Sequence, residues 1–73
     1  MNSLELILNQ LVHEKNVLEF ELERVINQKD IETNLKMSMS KEILSKLTNT
    51  INMINLTSTY LKPVNNELEQ NNN

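Results

Sequence analysis

Apolar side chains at positions 4, 8, 11, 18, 22 and 25 follow at spacings of four and three, with Lys15 and Lys29 standing where the pattern skips. Only an α-helix brings residues three and four apart onto one face, so this heptad seam restricts the chain to helix more tightly than any other feature. With Leu8, Lys15, Leu22 and Lys29 at a positions, Leu4, Leu11, Leu18 and Val25 fall at d, a stripe that needs another helix to cover it. Ile7, Val12 and Ile26 flank the stripe and widen it toward more than one neighbour, which fits a bundle better than a two-stranded rope.

A second seam runs through Met37, Leu44, Leu47, Ile51, Ile54 and Leu61, with Ser40 and Ser58 in its polar slots. Sevens counted from Leu8 arrive at Lys36 and not Met37, so one residue is inserted in register between Lys29 and Met37. Either two helices meet at a turn, or one long helix of about 55 residues kinks. The break is expected over 33–40, where Asn34, Ser38 and Ser40 offer caps and Glu42 would sit near the N-terminus of a second helix. Glu32 to Lys36 and Glu42 to Lys46 have the favourable i, i+4 orientation. Pro63 disfavours helix at Lys62, so the second helix is expected to stop near Leu61. The expected organisation is a helical coiled-coil region over 3–62 and a disordered Asn-rich tail over 63–73.

Composition supports the all-α class, since the chain has 12 Leu and 13 Asn but neither Gly nor Ala and a single Pro, which leaves hairpin turns without their usual residues. At 73 residues, with no Cys and one His, disulfide and metal staples are both missing. A core of that size rarely nets more than about 3 to 5 kcal/mol alone, so stability is expected to come from partner chains. A net charge of −3 disfavours direct nucleic-acid binding. The longest apolar run, Leu6 to Leu8, is far short of a membrane span, and no basic, then apolar, secretory signal is visible. An intracellular chain is expected, with no cofactor and no metal.

Candidate chemistry is sparse. His13 lies at an f position, away from the seam, with Asn9 and Val17 as its i±4 neighbours and no acid or nucleophile held against it. A surface or interface histidine is the reading, and no enzyme is expected. Glu19, Glu21 and Glu23, with Glu14 nearby, form an acidic cluster that reads as a solvated face and alternatively as a surface that steers pairing. Lysines in an apolar seam cost stability and select register or partner, so Lys15 and Lys29 read as register marks or alternatively as residues tolerated at the edge of a bundle. Met37, Met39 and Met53 read as gap-filling core, and Asn55-Leu56-Thr57 as a chance glycosylation triplet inside a helix. Phe20 and Tyr60 are the aromatic side chains to inspect for exposed contacts. The expected partner interface comprises Leu4, Leu8, Leu11, Lys15, Leu18, Leu22 and Val25 on the first helix, with Leu44, Leu47, Ile51, Ile54 and Leu61 on the second.

The segment Asn9, Gln10, Leu11, Val12, His13, Glu14, followed by Leu18, Leu22, Gln28, Asp30 and Ile31, resembles the smallest, Hsk-type subunit of the fungal DASH complex. The likeness runs without gaps over residues 9–31, and Asn9, Gln10 and His13 are its matches outside the heptad pattern. Lys15 stands where that family tends to have Leu. The resemblance implies a structural subunit of a heteromeric helical assembly at the outer kinetochore, which forms rings around spindle microtubules and takes part in chromosome segregation. It further implies a nuclear and spindle location, other small helical subunits as partners, and microtubule contact only through the assembled complex. The rival reading from the residues is a small bacterial or phage helical-hairpin regulator that inhibits a protein partner, with Phe20, Tyr60 and the acidic cluster as its contact surface.

Overall fold

A computed structural model describes residues 2–61, which form two helices and no strand: α1, Ser3–Asn27, and α2, Thr33–Leu61. The expected tail over 63–73 lies outside the described residues. The two helices pack along each other as an antiparallel hairpin. Lys36 at the start of α2 donates from Nζ to the Ile26 carbonyl at the end of α1 (2.9 Å), while Leu11 to Leu18 lie alongside Lys46 to Met53. The chain is therefore interrupted and folded back, the first of the two alternatives that the inserted residue allows.

The turn occupies residues 28–32, ahead of the expected 33–40. Ser38 and Ser40 are inside α2 and cap nothing, Asn34 is in its first turn, and Glu42 is well into the helix, away from its N-terminus. Glu32 performs the capping: its carboxylate accepts from the backbone N–H groups of Asn34 and Leu35, both at 3.3 Å. That carboxylate satisfies donors that have no partner within the helix and places negative charge at the positive end of the helix dipole. The side chain of Lys36 is thereby released from the expected pairing with Glu32 and reaches back to α1. Glu42 and Lys46 do pair, at 3.6 Å on an exposed face.

The start of α1 is closed by a reciprocal capping box. The Asn2 side chain accepts from the Glu5 N–H (2.8 Å), and the Glu5 carboxylate accepts from the Asn2 N–H (3.1 Å). At the other end, Gln28 N–H closes onto the Val25 carbonyl (3.2 Å) with Gln28 in extended backbone, and the helix stops without a glycine.

All seven expected residues of the first seam, Leu4, Leu8, Leu11, Lys15, Leu18, Leu22 and Val25, turn away from solvent, with Leu11 at 6% and Val25 at 3% exposure. Their cover is α2 of the same chain. The stripe expected to bind partner chains is thus used within the hairpin. Lys29 is no part of it: it lies beyond the end of α1, exposed in the turn.

On α2 the residues withdrawn from solvent are Lys36, Ser40, Ile43, Leu47, Thr50, Ile54, Thr57 and Leu61, again spaced four and three, with Ser58 half-buried beside them. This frame shares Ser40, Leu47, Ile54 and Leu61 with the expected seam but takes its other half from the opposite flank. Ile43 and Thr50 face α1 where Leu44 and Ile51 were expected, Thr57 is half-buried alongside the expected Ser58, and Lys36 takes the place of Met37. Thr50 is tolerated in the seam because its hydroxyl donates to the Lys46 carbonyl one turn back (2.9 Å), which leaves no orphaned polar group.

Candidate functional site

Choosing this frame exposes the more apolar half of α2. Met37, Leu44 and Ile51, one heptad apart, stand 53%, 48% and 39% exposed beside the buried Leu47. In an antiparallel pair of helices the e positions of both line one side of the seam and the g positions the other. With Leu8 as an a position on α1 and Leu47 on α2, Val12 and Ile26 fall on the same side as Met37, Leu44 and Ile51, and all five are exposed. The antiparallel register sets Ile26 level with Met37 and Val12 level with Ile51, so the five form an apolar stripe along the middle of the hairpin, continuous on α2 and interrupted on α1 by the exposed Glu19 level with Leu44. Of the residues expected to meet a partner, Leu44 and Ile51 remain available to one; Leu47, Ile54 and Leu61 are committed to the seam.

The opposite side is more mixed. Ile7, Met39, Met53 and Tyr60 alternate there with Glu14, Glu21 and Lys46. Between them an open groove of about 670 Å³ is floored by Leu11, Leu18 and Thr50 and rimmed by His13, Glu14, Val17, Lys46, Asn49 and Met53. His13 is exposed at this rim, and no group of three or more His, Cys, Asp or Glu able to hold a metal exists among the described residues. The groove offers shape and apolar floor but no converging nucleophile and base. Met37, Met39 and Met53, expected in a core, are all exposed.

Lys15 behaves as an amphipathic seam residue. Its stem lies in the helix interface with the side chain 30% exposed, and its ammonium reaches Glu19 on the next turn at 3.3 Å. One member of the acidic cluster is therefore tied up within α1, while Glu14 and Glu23 are exposed and Glu21 is half-buried. Among the described residues Phe20 and Tyr60 are the most exposed large hydrophobic residues, at 71% and 67%, Phe20 on an outward position and Tyr60 on the groove side of the seam. Asn55, Leu56 and Thr57 lie within α2, with Thr57 turned toward the seam.

Charge is divided between the helices. α1 carries Glu5, Glu14, Glu19, Glu21 and Glu23 against Lys15 and Arg24, a net −3, whereas α2 carries Lys36, Lys41 and Lys46 against Glu42, a net +2. On the side of the apolar stripe Glu23 on α1 and Lys41 on α2 lie along the border, and Glu19 stands within the row between Val12 and Ile26, all exposed.

The exposed stripe is within reach of the sequence: Val12 and Ile26 flank the first seam, and Met37, Leu44 and Ile51 form a heptad series. What was missed is Ile43, whose burial shows that α2 turns its other flank inward. No protein-family model, curated protein or solved structure matches this chain. Among the described residues no helix is long and apolar enough to cross a membrane.

Proposed function

We propose that this chain is a structural interaction protein, a helical hairpin that forms one component of a larger all-helical bundle and performs no chemistry of its own. The observation that carries the reading is the stripe of Val12, Ile26, Met37, Leu44 and Ile51, left uncovered beside a seam that is itself half polar on α2. Small soluble proteins rarely leave contiguous apolar stripes in water unless another molecule covers them. Two helices that bury only Leu11, Val25 and Leu47 among their apolar residues have little stability to spare, and further helices would supply it.

The finer reading is a DASH-type outer-kinetochore subunit, placed in the nucleus and on the spindle and meeting microtubules only through its complex. It rests on the resemblance over residues 9–31. Asn9, Gln10 and His13, the polar matches in that stretch, are on the exposed face of α1, where neighbouring subunits could read them. Affinity purification of the chain from its native organism, with mass spectrometry of what accompanies it, tests this. Co-recovery of several other small helical proteins supports the DASH reading. Recovery of one enzyme or transcription factor overturns it in favour of the inhibitory regulator, the second reading, which the exposure of Phe20 and Tyr60 favours.

A further inference from the structure

We infer that the uncovered stripe is the seat of a second copy of this chain, which gives a twofold-symmetric four-helix bundle in which α1 of each copy lies against α2 of the other. The inference rests on the reading of the chain as a bundle component and goes further by naming the occupant.

Three observations point to a copy. The first is electrostatic: an acidic α1 and a basic α2 in one hairpin mean that a second hairpin brings a basic helix to the acidic one and the reverse. All neighbouring helices around such a bundle are then of opposite charge and antiparallel.

The second is the height of the residues. A twofold axis along the bundle leaves every residue at its own level, so the Ile26/Met37 layer meets its own copy and so does the Val12/Ile51 layer. Apolar layers meet apolar layers without any shift of register. The layer between them sets Leu44 level with Glu19, where Lys41 of one copy stands near Glu19 and Glu23 of the other, and Glu23 is in neither ion pair of the described residues.

The third is the shape of the frame on α2. Leu47 and Ile54 lie between two flanks, Ile43/Thr50 toward α1 and Leu44/Ile51 toward solvent. A helix with apolar positions on both flanks of one ridge fits contact with two helices at once, as in a bundle.

Sedimentation velocity with Leu44→Glu tests the proposal, because Leu44 is exposed in the hairpin and its replacement leaves the intrachain seam untouched. The unaltered chain is expected to sediment at twice its 8.5 kDa mass at micromolar concentration. Leu44→Glu should weaken self-association by about a hundredfold, as removal of a central apolar anchor does, while Phe20→Glu, on the outward face, leaves it unchanged. If Leu44→Glu also loses helicity, a crosslink decides: a Val12→Cys chain mixed with an Ile51→Cys chain under mild oxidation should give the mixed disulfide dimer in preference to either homodimer. A monomer at every concentration, or a dimer insensitive to Leu44→Glu that also gives no preferred mixed disulfide, overturns the inference. A monomeric chain that still captures other helical proteins, and loses them on Leu44→Glu, refutes the second copy and leaves the bundle-component reading standing. A monomer that captures nothing refutes both.

Discussion

Replacing Thr50 with Val probes which flank of α2 faces α1. Thr50 is 9% exposed in the seam, and its hydroxyl is occupied only by the Lys46 carbonyl one turn back. That carbonyl lies in the interior of α2 and keeps its helical backbone partner, so removing the hydroxyl orphans nothing. The substitution keeps the shape and the β-branch and exchanges a desolvated hydroxyl for a methyl. The methyl contributes about 0.8 kcal/mol of transfer free energy, and little is lost with the hydroxyl, since a Thr bonded back to the carbonyl one turn earlier slightly destabilises its own helix. The balance is a gain of about 0.5 to 1 kcal/mol, or roughly 3 to 6 °C in a domain of this size. The assay is thermal unfolding by circular dichroism at one fixed concentration, with the mirror replacement Ile51→Thr in a monomeric Leu44→Glu background. In that background Ile51→Thr should change little, because its side chain is exposed. If Thr50→Val is neutral or destabilising and Ile51→Thr costs several degrees, then Ile51 faces α1, and the whole account of the uncovered stripe is wrong.

Other perturbations address the elements separately. Leu47→Ala, at a site only 7% exposed, should cost about 2 to 5 kcal/mol, enough to abolish helical circular dichroism in a protein this small. Asn2→Ala should cost about 1 kcal/mol and speed amide exchange at Glu5, whose N–H the Asn2 side chain holds. Lys36→Met should leave overall helicity unchanged yet quicken exchange at Gln28 several-fold, because the Lys36 ammonium is what ties the last turn of α1 to α2.

Much of the hairpin was legible. The first seam could be read residue by residue because α1 has one narrow apolar stripe, and spacing alone then sets the face. The capping box at Asn2 and Glu5 also carries a readable signature, a short polar cap with Glu three residues on. The turn was harder to place: with no Gly or Pro near it, the cap that decides it is Glu32, a residue type that ranks below Ser, Thr and Asn in cap preference. The second seam was misplaced by one position for a different reason. α2 is apolar across an arc wider than one seam, and hydrophobicity favours the Met37, Leu44, Ile51 flank; yet Thr50 can enter the seam at little cost through its local hydrogen bond, and Lys36 on that flank completes the end of α1. A polar residue satisfied by its own helix is invisible to a count of apolar positions. The functional surface is therefore the part of the pattern left over once the hairpin has closed.

The central claim is that a second copy of the chain covers this leftover stripe, and the concentration dependence of unfolding tests it most directly. For a chain stabilised by association, each tenfold rise in concentration adds about 1.4 kcal/mol per mole of complex. The melting temperature of the unaltered chain should therefore climb steadily over a hundredfold range of concentration, and that of Leu44→Glu should stay flat and lower. A sharp, cooperative melt of the unaltered chain at the same temperature throughout that range would contradict the account.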